Sequence, residues 1–95
     1  MNVLVIILRT QVATSVMEYL NTYSDEGVTY EFTEPGYFDT REVSVFFVKG
    51  DKEKLATIKN YCNRAYESSS VLALYFMPRK VGIDERDPEL QGSVL

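Results

Sequence analysis

Histidine is absent from the chain and cysteine occurs once, at Cys62. The commonest general base, the commonest metal ligand and every Ser-His or Cys-His nucleophile pair are therefore missing. No Asp-x-Asp-x-Asp loop offers converging oxygens to a hard cation. What remains able to act on another molecule is acidic, aromatic and basic surface. Carboxylates Asp25, Glu26, Glu31, Glu34, Asp39 and Glu42 fall in one part of the chain, opposed only by Arg41. Tyr37 and Phe38 stand among them, just after the turn-forming pair Pro35-Gly36. Aromatic side chains in a polar loop suit anchoring to a partner, and the flanking charges suit its rim. The expected partner-binding surface is Glu34, Tyr37, Phe38, Asp39, Arg41 and Glu42, meeting a protein whose identity the sequence does not give; read functionally, the carboxylates would suit a basic one. The competing reading is that Tyr37 or Phe38 covers the end of the core. The carboxylates would then guard a sheet edge against strand addition.

Three other groupings carry less chemistry. Arg79-Lys80 with Lys49, Lys52 and Lys54 is the one basic concentration, and no glycine-rich cradle accompanies it, so nucleic acid is not an expected partner. Cys62 falls on an apolar helical stripe, where packing is expected and reactivity is not. The final Ser93-Val94-Leu95 fits the loose hydroxyl-x-aliphatic pattern of peptides that add a strand to a PDZ domain, a match too short to weigh. No cofactor is expected.

These residues must be positioned by a chain of 95 residues, enough for one domain with a single core. Hydrophobic content of 45% and charged content of 25% are those of a soluble globular protein, and a cytoplasmic location is expected. No apolar run approaches the roughly 20 residues that span a bilayer, and the N-terminal run lacks the basic flank of a secretory signal. The net charge of -4 resides mainly at Asp84–Glu89, where four carboxylates face Arg86 alone. Residues 1–80 are expected to form the domain, and residues 81–95 an acidic, extended or disordered tail.

Val3 to Leu8 is six consecutive aliphatic residues, the pattern of a strand buried on both faces. Val12, Val16, Leu20 and Tyr23 recur at helical spacing and predict a helix over residues 10–23, started by Thr10 or by a Ser15/Glu18 capping box, and stopped at Gly27. Val28, Tyr30 and Phe32 alternate with Thr29, Glu31 and Thr33, predicting an edge strand with one wet face. Val43–Val48 and Val71–Met77 predict two more apolar strands, the last ended by Pro78. Between them Asp51 caps a helix with Leu55, Ile58, Cys62, Ala65 and Tyr66 on its buried stripe.

Strand, helix, strand, strand, helix, strand is the split βαβ order of a ferredoxin-like α+β sandwich: a four-stranded antiparallel sheet, order 4-1-3-2, with two helices on one face. That fold hosts many activities and carries none by itself. CRISPR-associated nucleases of the Cas2 type resemble this plan, but they place an aspartate just after the first strand where this chain has Arg9. The ACT-like ligand-binding domains also resemble it, usually with a glycine in the turn occupied here by Arg9-Thr10-Gln11. The resemblance to both therefore rests on the fold. With two apolar faces on most strands, the helix-free face is expected to expose a patch of a few hundred Å², which a second copy of the chain would cover. Val81, Ile83 and Leu90 of the tail are the other candidate cover. The expected function is a small non-enzymatic protein-binding or regulatory module, working as a homodimer through the acidic, aromatic surface. The alternatives are an ACT-like domain holding a small ligand near Arg9, Thr10 and Gln11, and an enzyme of the dimeric α+β barrel kind.

Overall fold

A computed structural model of the chain describes residues 2–33, 36–38 and 40–77; for Tyr37 and Phe38 it describes the backbone alone. The aliphatic N-terminal run lies in strand β1 (Asn2–Arg9), which is paired on both sides as its composition requires. The chain continues through helix α1 (Ala13–Asn21), strands β2 (Thr29–Phe32), β3 (Gly36–Phe38) and β4 (Arg41–Gly50), helix α2 (Lys52–Ala65) and strand β5 (Val71–Met77). All the pairings are antiparallel. The sheet runs β2-β4-β1-β5, with β3 also on β4. Over its four long strands that is 2-3-1-4 counted from the β2 edge, or 4-1-3-2 from the β5 edge. The architecture is α+β, and β1 and β4 are central.

Two expectations change here. The sheet has a fifth short strand, because the segment after Pro35 pairs with β4 rather than looping free: Tyr37 stands opposite Glu42 and Phe38 opposite Arg41. Thr33 joins the two halves of this edge, its backbone N–H donating to the Val45 carbonyl at 3.0 Å and its Oγ1 accepting from the Val45 N–H at 3.2 Å. The first helix also begins later than residue 10. Thr10–Val12 form a 3-10 turn, and α1 starts at Ala13 with no side-chain cap. Neither proposed cap operates, since the Thr10 hydroxyl bonds Ser44 at 3.1 Å and the Ser15 hydroxyl bonds the Tyr66 phenol at 2.7 Å.

α2 behaves as its sequence requires at its start. Asp51 is extended and its Oδ1 accepts from the Lys54 N–H at 3.1 Å, satisfying one of the helix's orphan donors. Leu55, Ile58 and Cys62 are fully buried, but Ala65 is exposed, because the helix ends there and Tyr66 turns into extended backbone. α1 ends at Asn21, earlier than the expected stop; Gly27 instead ends a separate 3-10 turn at Ser24–Glu26, with φ of +81°, a conformation that costs a side-chain-bearing residue on the order of 1–2 kcal/mol.

Side chains alternate about the sheet. Leu4, Ile6 and Leu8 of β1, Phe46 and Val48 of β4, and Val71 and Leu74 of β5 meet Val16 and Leu20 of α1 and Leu55, Ile58 and Cys62 of α2 in one core. Both helices therefore lie on this face. On the other face Val43, Leu72 and Ala73 form a second, smaller buried cluster with Ile7 and Tyr75 packed against it. Simple alternation would put Val71 with Ala73 and Leu72 with Leu74. A register shift between Ile7 and Leu8 instead lets Val71 pair with Leu8 and Ala73 with Ile7. Leu72 is the extra residue of a β-bulge, and it joins the helix-free face. The expected tail, 81–95, and the strand-ending Pro78 lie outside the described residues.

Candidate functional site

The two sets of candidate residues that are separate in sequence converge at one end of the sheet. Gly36 of β3 pairs with Val43 of β4, and Val43 pairs in turn with Arg9 of β1. These three residues form a cross-strand row about 10 Å wide at ~4.8 Å per strand. Arg41 and Glu42 lie just beyond that row on β4, with Phe38 and Tyr37 opposite them on β3. The Thr10–Val12 turn leaves β1 at the same end, so Thr10 and Gln11 border the group.

The backbone here is well tied. The Arg9 N–H donates to the Ser70 carbonyl at 2.8 Å, fixing the end of β1 to the start of β5. Ser44 is the buried polar residue among the described ones, and the Thr10 hydroxyl satisfies it at 3.1 Å. Thr10 therefore has a structural task, while Gln11 is exposed and Arg9 half-buried. Glu42 is exposed and Arg41 half-buried. By strand alternation Arg9 and Arg41 share the helix-free face with Val43: Arg9 stands directly opposite Val43, and Arg41 two residues before it on β4. Both arginines thus belong to the face that carries the buried Val43–Leu72–Ala73 cluster. Glu34 and Asp39 lie outside the described residues.

The acidic surface foreseen from composition is interrupted. Lys49 approaches Glu31 at 3.6 Å, and Lys54 approaches both Glu26 at 3.8 Å and Asp51 at 3.4 Å. These pairs also divide the basic grouping, since Lys49 and Lys54 face carboxylates and no cradle for phosphate forms from them. Cross-strand pairing did this: Lys49 stands opposite Thr29 and diagonal to Glu31, a proximity invisible before the register is known.

Sequence reasoning missed a shallow depression of about 270 Å³ at the far end of the helix-free face, lined by Val3, Glu31, Phe47, Lys49 and Met77. Val3 pairs with both Lys49 and Met77, so the central strand forms its floor. Met77 is 46% exposed, one of the large apolar side chains left open to solvent. A tyrosine cluster at the helix seam was also missed. Tyr19 stacks on Tyr61 with ring centroids 3.9 Å apart, meets Tyr23 edge-on and shares a 2.9 Å phenol–phenol hydrogen bond with it. Partial burial, reinforced by the Tyr23 hydrogen bond, raises the Tyr19 phenol's pKa. The i, i+4 spacing of Tyr19 and Tyr23 was the available signal.

Among the described residues no group of three or more Cys, Asp or Glu side chains is placed to hold a metal ion. No described helix is long and apolar enough to cross a membrane. No family model, curated protein or solved structure matches the chain.

Proposed function

We propose that the chain is a small non-enzymatic protein-binding module on a ferredoxin-like frame, whose partner docks at the sheet end carrying Arg9, Arg41, Glu42 and the β3 residues Tyr37 and Phe38. The observation behind this reading is the convergence of β3, the start of β4 and the end of β1 in one cross-strand row. Three strand ends, two arginines and an exposed glutamate supply a rigid platform of mixed charge. Such a platform suits steering and orienting a protein partner better than enclosing a small molecule. Glu34 and Asp39 are the remaining members of the proposed surface. The decisive variants are Tyr37→Ala with Phe38→Ala and Arg41→Glu with Glu42→Lys, assayed by recovery of whatever copurifies with the tagged chain. Lost recovery with unchanged unfolding supports the reading, whereas a stability loss of several kcal/mol would make the aromatic pair core.

Self-association belongs to the same proposal, through the open half of the helix-free face. Val3, Phe47 and Met77 are incompletely buried there, and the neighbouring Glu31–Lys49 pair could be matched reciprocally across a two-fold axis. Sedimentation equilibrium at micromolar concentration tests it, with a strict monomer as the opposing result. The ACT-like alternative keeps Arg9 and Gln11 as ligand contacts, but the Thr10 hydroxyl is already engaged by Ser44.

A further inference from the structure

β2 is the last strand on its side of the sheet, paired with β4 alone among the described residues. Thr33 fixes which of its backbone groups face β4. The Thr33 N–H donates to the Val45 carbonyl at 3.0 Å, so residues 29, 31 and 33 aim their backbone groups at β4. Antiparallel alternation then turns the N–H and C=O of Tyr30 and Phe32 outward, away from the sheet, and no described strand takes them. The side chains along this edge are open as well. Thr29, Glu31 and Thr33 are exposed, and Phe32, at 53%, is the most exposed of the large apolar residues described. The Phe32 ring is nevertheless held, because it stacks on the buried Phe46 with centroids 5.5 Å apart. Its neighbour Tyr30 is held too, by a phenol that donates to Asn21 Oδ1 at 3.0 Å.

We infer that this edge receives an extended segment of a partner protein as an added antiparallel strand, with an apolar, a basic and an apolar residue in succession opposite Phe32, Glu31 and Tyr30. Strand addition of this kind draws affinity from main-chain hydrogen bonds and selectivity from alternate side chains. Tyr30 and Phe32 stand opposite Val48 and Phe46, which belong to the core beneath the helices. Both rings therefore lie on the helix side of the sheet, and Glu31 lies on the other. An incoming strand in register sets alternate residues beside the two rings, where apolar side chains gain cross-strand contact, and its middle residue beside Glu31. Between Arg9 and Arg41 the chain carries six carboxylates and no Lys or Arg, so complementarity makes that middle residue basic. Lys49 approaches Glu31 at 3.6 Å, but both side chains are open to water, and such a pair binds its members weakly. A second copy suits this edge poorly. The two-fold pairing that engages both Tyr30 and Phe32 sets Glu31 directly against Glu31 of the second copy, a like-charge contact that opposes it. The inference goes beyond the docking site proposed above, which lies on β3 and the strand ends of β1 and β4, and neither contact needs the other.

The test adds synthetic peptides to the isotope-labelled full-length chain: a blocked Thr-Val-Lys-Val-Thr and its counterpart with Glu in the centre. The Lys peptide is expected to shift the amide signals of Tyr30 and Phe32, to slow their exchange with solvent, and to bind several-fold tighter than the Glu peptide. Glu31→Lys should reverse that preference. Methylating both valine nitrogens of the peptide, which face β2 in this pairing, should abolish binding. Methylating its lysine nitrogen, which points away, should not. Phe32→Ala should weaken binding several-fold at an unchanged urea midpoint. No shift at Tyr30 and Phe32 with millimolar peptide overturns the inference, as does equal loss on either methylation or a shift confined to the Arg9–Arg41 end. Shifts at Tyr30 and Phe32 on concentrating the chain without peptide give the edge to a second copy and also overturn it. Partner recovery by the Tyr37 and Phe38 variants is scored separately, so failure of one reading leaves the other standing.

Discussion

Leu72 and Leu74 are two residues apart on β5, equally buried, and on opposite faces of the sheet, which makes them a matched pair for testing whether the helix-free side is a true core. Leu74→Ala removes three carbons from the helix-side core. At about 0.8 kcal/mol per carbon the transfer loss is roughly 2.4 kcal/mol, and the unfilled cavity raises the total to ~3–4 kcal/mol. Leu72→Ala removes the same carbons from the second cluster. Its position in a bulge allows easier collapse, so ~2–3 kcal/mol is expected, towards the lower end of the range for buried leucines. Urea unfolding of both variants, at two protein concentrations tenfold apart, measures the losses and separates cover in cis from cover by a second chain. A Leu72→Ala cost within about 0.5 kcal/mol of zero would be that of an exposed position and would refute the second core. A cost that grows with concentration would assign the cover to another molecule.

Gly27→Ala should destabilise by about 1 kcal/mol from backbone conformation alone, because a Cβ there meets nothing within 4 Å; a neutral result in thermal unfolding would deny the left-handed turn. Asp51 is held below the ordinary aspartate range by the Lys54 N–H and ammonium group, so its capping contribution is complete above the unfolded pKa of about 3.9 and fades as pH falls through the lower folded value. Asp51→Asn keeps the acceptor and should flatten that part of the acid-stability profile, and an unaltered profile would discount the cap's titration. Tyr19's raised pKa should appear in an ultraviolet titration as a late-ionising phenol that Tyr19→Phe removes. The associated stability is present below pH ~10 and is lost as pH rises towards the folded value. A wild-type titration with no component that Tyr19→Phe removes at high pH would contradict the burial and Tyr23 hydrogen bond assigned to Tyr19.

The six-residue aliphatic run of β1 announced a doubly covered central strand, and the alternating Val28–Phe32 stretch announced an edge. Both patterns follow directly from burial, so sequence carried them. Phe32 shows where the pattern stops informing: it has the apolar phase of its strand, yet at the edge it remains 53% exposed and stacks on Phe46. The start of α1 was misread because capping residues are defined by what else competes for their hydroxyls, and Ser44 and Tyr66 are distant in sequence. β3 escaped notice since three residues after a Pro-Gly turn have no period of their own. VLALYFM could not reveal its bulge, because every phase of a wholly apolar strand looks alike. For the candidate site, residue types in Arg9–Gln11 and Tyr37–Glu42 marked two segments, but only the register shows that they are neighbours.

The position of β1 also sets the order in which this chain can fold. Val5 pairs with Phe47, 42 residues later, and with Tyr75, 70 residues later. Both edges of β1 are therefore closed only by segments 42 and 70 residues further along the chain. Helices α1 and α2 can form locally, but the sheet that joins them depends on long loop closures, which slow folding. Until those closures are made, the aliphatic run Val3–Leu8 lacks its neighbours, and an unpaired apolar edge of this kind favours aggregation over productive folding.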